Sequence, residues 1–171
     1  MQRLLDRQDL SRQDTEELFG QLMDGVFDEA QKAALMMGLA VKGETASELA
    51  GATVAMRQRV VPIPHRQERA IDTCGTGGDG HGTLNISTAA ALVAAAAGAK
   101  VAKHGNRSVS SRSGSADVLA HLGVGLEVTP DQAGEMLDRV GIAFLFAPRL
   151  HPAMAEVMPV RRSLGVRTLF N

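Results

Sequence analysis

Five glycines, Gly75, Gly77, Gly78, Gly80 and Gly82, fall within eight positions between a short β-branched run and an alanine-rich stretch. Glycine loses more backbone freedom on ordering than any other residue. Such a density is therefore costly unless the chain needs φ > 0 or another group must approach the main chain closely. The preceding Ala70-Ile71-Asp72-Thr73-Cys74 reads as a strand ending in turn residues. Beyond the loop, Asn85-Ile86-Ser87-Thr88 offers N-cap side chains before Ala89 to Ala97, a run of strong helix propensity that Gly98 closes. A helix over 87–98 follows, and its alanine content predicts burial. An anion at the free N–H groups of such a helix start gains roughly 0.3–1 kcal/mol from the dipole when exposed. Strand, glycine loop and helix together suit a phosphorylated ligand.

Two familiar phosphate sites fit poorly. Gly75-x-Gly77-x-x-Gly80 satisfies the dinucleotide fingerprint literally. In that fingerprint, however, the helix opens at the third glycine and the second strand ends in an acidic residue for a ribose hydroxyl. Here Gly80 is followed by His81, Gly82, Thr83 and Leu84, and the second strand ends in Lys103-His104. A Walker loop is excluded because no Gly-Lys-Ser or Gly-Lys-Thr occurs.

A second polar loop follows the strand Lys100-Val101-Ala102 and runs from Lys103 to Ser115. Its first part, Lys103, His104, Gly105, Asn106, Arg107, Ser108, Val109, Ser110 and Ser111, supplies two fixed cations, an imidazole, an amide and three hydroxyls. Opposite a helix N-terminus, Arg107 with its bidentate fork and Lys103 as a point charge could bracket a diphosphate. One intervening helix brings both loops to the same sheet edge, where α/β proteins bind ligands.

Gly75-Thr76-Gly77-Gly78-Asp79, Asn85-Ile86-Ser87-Thr88, Lys103-His104-Gly105-Asn106-Arg107 and Gly114-Ser115-Ala116-Asp117-Val118-Leu119 closely resemble the anthranilate phosphoribosyltransferase family. That family shares its fold with the pyrimidine nucleoside phosphorylases. The resemblance runs from near the N-terminus to Asn171 and rests on several long motifs in the right order.

At 171 residues the length suggests one domain, or one plus a small appendage. Its 44% hydrophobic and 22% charged content is that of a globular chain, and the absence of Trp and Tyr predicts a core of small aliphatics and Met. A net charge of −1 gives no electrostatic footprint for nucleic acid or an anionic membrane. No apolar run reaches spanning length, and the start lacks a signal-peptide core. The single Cys74 has no internal partner, which points to a reducing cytoplasm, and it reads as a small buried packing residue.

The expected fold is α/β: a small N-terminal helical bundle plus a largely parallel sheet flanked by helices. Residues 1–60 form the helical domain, 61–69 a linker marked by Pro62 and Pro64, and 70–148 the phosphoribosyl-binding part. Ser11 can cap a first helix with Leu18, Phe19, Leu22 and Val26 inward. Asp28 opens a second with Ala30, Ala33, Ala34, Met37 and Val41 as its stripe. A Thr45–Glu48 capping box opens a third with Leu49, Ala52 and Met56 inward. Strands at 70–74, 100–103 and 142–146 alternate with helices near 115–122 and 130–140, the latter opened by Thr129-Pro130.

The resemblance implies more. Segment 149–171 returns toward the helical domain, which also forms a homodimer interface. The implied reaction, in tryptophan biosynthesis, joins anthranilate through its amino nitrogen to C1 of phosphoribosyl pyrophosphate, releasing pyrophosphate. Gly75, Gly78, Asp79, Thr83, Asn85, Ile86, Ser87, Thr88, the loop from Lys103 to Ser111 and Ser115 would hold phosphoribosyl pyrophosphate. Ser87 would touch one Mg²⁺. Asn106 and Arg161, with main-chain help from Gly75, would hold anthranilate, and His151 and Met154 would sit beside the same pocket. No residue need act as a general acid or base.

Family members continue past residue 171, where an Asp-Glu pair binds a second Mg²⁺. The chain is therefore expected to be an N-terminal portion with an incomplete sheet and little activity alone. Two rival readings are a pyrimidine nucleoside phosphorylase-like enzyme, disfavoured by His104-Gly105-Asn106-Arg107, and a non-catalytic nucleic-acid-binding relative, disfavoured by the retained glycine loop and the near-zero charge.

Overall fold

A computed structural model describes residues 1–75, 84–108 and 113–169. In chain order the elements are α1 (Gln2–Leu5), α2 (Arg12–Met23), α3 (Glu29–Lys42), α4 (Ala46–Arg57), β1 (Ala70–Ile71), α5 (Ile86–Ala96), β2 (Lys100–Gly105), α6 (Ser115–His121), α7 (Pro130–Arg139), β3 (Ile142–Phe146), α8 (Ala147–Leu150), a 3-10 turn (Pro152–Glu156) and α9 (Met158–Leu164). They form two compact units, Met1–Val60 with the segment from His151, and Val61–Leu150.

In the first unit, Ser11, Asp28 and Thr45 each accept from the backbone N–H three residues on, and Asp14, Gln31 and Glu48 return the bond. Such caps satisfy helix-start donors and contribute about 1 kcal/mol each. The core gathers Phe19, Leu22 and Met23 of α2, Leu35, Met36 and Leu39 of α3, Ala52 and Ala55 of α4, and Val157 and Val160 near α9. Helix α4 lies directly on α2. A Cβ on Gly51 would collide with the Arg12 carbonyl oxygen and lie 2.9 Å from the Glu16 nitrogen.

The expected inward faces need correction. Ala30, Ala34 and Val41 are exposed, and α3 instead buries Lys32, Leu35, Met36 and Leu39. The larger side chains of that face remove more apolar area from water, at about 25 cal/mol per Å², than an alanine stripe does. Val26 lies beyond the end of α2 and Leu49 faces outward, both exposed.

The second unit is a parallel sheet in the order β1-β2-β3. Its register pairs Ala70 with Lys100 and runs from Val101 opposite Ile142 to Gly105 opposite Phe146. Side chains alternate across a strand. Phe144 accordingly packs with Ala116 and Leu119 of α6, while its neighbour Ala143 packs with Ala133 and Leu137 of α7. Residues 61–69 are tied to this unit: Arg66 N–H donates to Asp138, and a Cβ on Gly134 would collide with the Pro64 carbonyl oxygen.

Two further expectations change. Strand β1 ends at Ile71 because the Asp72 carboxylate accepts the Cys74 N–H at 2.9 Å, which bends the chain. Helix α5 is not buried. Only Thr88 and Ala91 are covered, and Ile86, Leu92 and Val93 are exposed. Alanine content reports helix propensity, whereas burial depends on what the rest of the fold lays over the helix. Among the described residues no helix is long and apolar enough to cross a membrane.

Candidate functional site

Because β1 and β2 are adjacent and parallel, the chain leaves both at the same edge of the sheet, Cys74–Gly75 from one and Gly105–Ser108 from the other. Asp72 stitches the two exits together, its Oδ1 accepting N–H of Cys74 at 2.9 Å and of His104 at 3.2 Å. Thr73 adds the third element. Its hydroxyl donates to the Ser87 carbonyl at 2.8 Å, anchoring the first turn of α5 beside the strand end. Gly75 lies under that turn, where a Cβ would sit 3.9 Å from Ser87 Oγ. Asn85 is the N-cap residue but makes no side-chain cap bond, so the expected side-chain cap is not there. The start of α5 is thus not closed by Asn85, as an anion-accepting helix start requires.

The second loop is braced from below. Gly105 is needed where it stands, since a Cβ would collide with Ser115 Oγ and the Phe144 ring. Asn106 carbonyl accepts N–H of Ala116 at 3.2 Å and the Ser115 hydroxyl at 3.4 Å. Asp117 then joins the two ends of the described loop, accepting N–H of Ser108 at 3.0 Å and of Gly114 at 2.8 Å. Those two N–H donors hold its carboxyl below the usual aspartate range. Arg107 reaches the same carboxylate at 3.4 Å while its side chain remains largely exposed at the rim.

Not every expected side chain faces the edge. Lys103 is buried, with its ammonium donating to the His104 carbonyl at 3.1 Å, and Thr88 is buried under α5. Ile86 is exposed. Burial pushes the His104 imidazole down, Asp72 opposes that, and Lys103 adds to it. Cys74 is exposed rather than a packing residue, because the turn after β1 carries it out of the strand. Partial desolvation of its thiol, then the Asp72 carboxylate, push its pKa up. Gly78, Asp79, Thr83, Val109, Ser110 and Ser111 lie outside the described residues. Arg161 belongs to the first unit, on α9, where burial lowers its pKa and its guanidinium lies 3.6 Å from Met158 Sδ. His151 and Met154 belong to that unit as well.

Thus Gly75, Ser87, His104, Gly105, Asn106, Arg107, Ser108 and Ser115 share one edge, organised by three residues the sequence reading did not single out: Asp72, Thr73 and Asp117. Asp117 had a signal, three residues after Gly114 at the position that accepts a helix-start N–H. Ser87 offers one hard oxygen donor. Mg²⁺ takes oxygen donors and keeps several waters beside substrate phosphate oxygens, so this hydroxyl is of the right chemical type.

Two family models match the chain. The glycosyl transferase family, helical bundle domain, covers residues 1–60, and the glycosyl transferase family, a/b domain, covers residues 67–171. An anthranilate phosphoribosyltransferase of Desulforudis audaxviator is 56% identical over 171 residues, all of this chain and 49% of that protein. The crystal structure of anthranilate phosphoribosyltransferase from Thermus thermophilus superposes with a TM-score of 0.93 at 46% identity, over 99% of this chain and 51% of that one. The Saccharomyces cerevisiae anthranilate phosphoribosyltransferase in complex with PRPP and Mg gives 0.89 at 27% identity, over 99% and 51%. The chain therefore spans about half the length of the relatives it matches.

Proposed function

The chain belongs to the glycosyl transferase family of those two models, and we propose that it serves transfer of a phosphoribosyl group from phosphoribosyl pyrophosphate to the amino nitrogen of anthranilate. Pyrophosphate leaves as the new C–N bond forms, a step of tryptophan biosynthesis. The observation that carries this reading is the shared edge, with Cys74–Gly75 and Gly105–Ser108 leaving neighbouring parallel strands beside the start of α5, which Asn85 does not cap with its side chain.

The chemistry asked of the residues is positioning and charge neutralisation, since an oxocarbenium-like sugar forms as diphosphate departs. Gly75 lets the diphosphate approach the backbone. The start of α5, with Asn85 to Thr88, contributes its dipole, and Ser87 would hold one Mg²⁺, which would supply charge neutralisation on the diphosphate. Arg107 and the hydroxyls of the second loop grip the leaving group, and His104, Gly105, Asn106 and Ser115 shape the wall. Gly78, Asp79, Thr83 and the loop residues to Ser111 complete the same binding set. Asn106 contributes an amide to the anthranilate end of this edge. A positioned, desolvated arylamine attacks without a general base.

Calorimetric titration with phosphoribosyl pyrophosphate and Mg²⁺ tests the reading. Arg107→Ala removes a charge-assisted contact of about 1.5–3 kcal/mol and should weaken binding roughly tenfold or more. Equal binding by wild type and variant would overturn the assignment of Arg107, and no binding by either would overturn the site. A homodimer through the helical unit and a cytoplasmic location belong to the same proposal. The exposed Leu5, Val26, Val41 and Leu49 of that unit support the first, and sedimentation of the chain checks it.

A further inference from the structure

Asp72, Cys74 and His104 each offer one donor atom, and the three atoms lie within 4.8 Å of one another. Two of them follow β1 and the third is on β2, so the cluster spans the paired strand ends. Its geometry is fixed from behind, because the Asp72 carboxylate accepts the backbone N–H of both other members.

One sulfur, one imidazole nitrogen and one carboxylate oxygen make the mixed donor set that suits zinc, whereas Mg²⁺ selects oxygen alone. Tetrahedral zinc, with bonds of about 2.0–2.3 Å, places its donors roughly 3.3–3.8 Å apart. Side-chain rotation of about 1 Å closes the present cluster to that size. We propose that Asp72, Cys74 and His104 form a zinc-binding site that leaves the fourth coordination position open. On binding, the ion displaces the thiol proton to solvent and the imidazole coordinates in its neutral form. The Lys103 ammonium, held on the His104 carbonyl, opposes a second cation and makes this a weaker site than a closed structural zinc. Zinc binding here is independent of which phosphorylated ligand the glycine loop takes.

Cobalt titration of the metal-free chain reads the site directly. Cys74 is the only cysteine, so a thiolate-to-cobalt charge-transfer band can come from no other ligand of this chain. The expected result is a band that saturates at one equivalent, is bleached by zinc and is absent in Cys74→Ser. Asp72→Asn and His104→Gln should each weaken zinc binding at least about tenfold, with circular dichroism confirming that the variants fold. X-ray absorption of the zinc-loaded wild type adds a reading that needs no variant, with one sulfur in the first coordination sphere. Absence of the band at saturating cobalt overturns the proposal. So does a coordination sphere without sulfur, or zinc affinity unchanged in both Asp72→Asn and His104→Gln.

Discussion

Glu48 is fully buried, and burial alone would raise its pKa. The N–H groups of Leu10 at 2.9 Å and Thr45 at 2.8 Å, with the Lys42 ammonium at 2.9 Å and the Thr45 hydroxyl at 3.1 Å, outweigh that and hold it below the usual glutamate value. Lys42 is equally enclosed, with 3% of its side chain exposed, and also reaches Asp9 at 2.7 Å. Removing one partner of a buried ion pair strands the other. Glu48→Ala should therefore cost about 3–5 kcal/mol in urea unfolding. The Glu135–Arg139 pair of α7 is the contrast, with side chains 62% and 77% exposed, and Glu135→Gln should change stability by less than about 0.5 kcal/mol. The Thr45–Glu48 cap was legible from spacing three residues apart. Its interior role was not, because Leu10 lies 38 positions away and only the fold brings it near.

At the scale of elements, Gly51 decides how close α2 and α4 come. Replacing a mid-helix glycine by alanine gains about 1 kcal/mol of helix propensity. Here the new methyl meets backbone atoms of Arg12 and Glu16 that cannot rotate away. Overpacking costs about 1–3 kcal/mol or more. Gly51→Ala should be net destabilising in urea unfolding, while Gly125→Ala, with nothing within 4 Å and no positive φ, should not. The same elements show what a chain discloses locally. Caps at Ser11, Asp28, Thr45 and Thr129, and strand 142–146, follow from residues within a few positions of one another. The inward face of α3 and the exposure of α5 did not follow, because alanines fit either side of a helix and their burial is set by distant neighbours. At the site, the convergence of the two strand exits was legible in the strand, helix, strand order. The brace Asp72 was not, since it acts on His104 across 32 positions, whereas Asp117 stood at a helix-start spacing.

Over the whole molecule, the ionisable groups with shifted pKa values set where the chain is most stable. Carboxyls are held low in both units: Asp14, Asp24 and Glu48 in one, Asp117 and Asp138 in the other. A depressed folded pKa contributes stability that is present above the ordinary value, 3.8 for Asp or 4.5 for Glu, and is lost as pH falls through the folded one. His104, depressed from 6.5, has the same sign and acts earlier. Cys74, raised from 9.0, has the opposite sign: its contribution is present below 9.0 and is lost as pH rises through the folded pKa. The urea midpoint should therefore hold a plateau between 6.5 and 9.0, decline gently below 6.5 and fall steeply below 4.5. Salt acts on the acid limb mainly through Asp24, whose partner is the Arg59 guanidinium, because Asp14, Asp117 and Asp138 are held low first by hydrogen bonds and Glu48 is enclosed. Raising ionic strength should soften only the Asp24 share and leave a residual loss, the Glu48 part of which Glu48→Gln removes. A midpoint that rises on acidification, or a residual loss unchanged in Glu48→Gln, would show that groups other than these govern the acid limb.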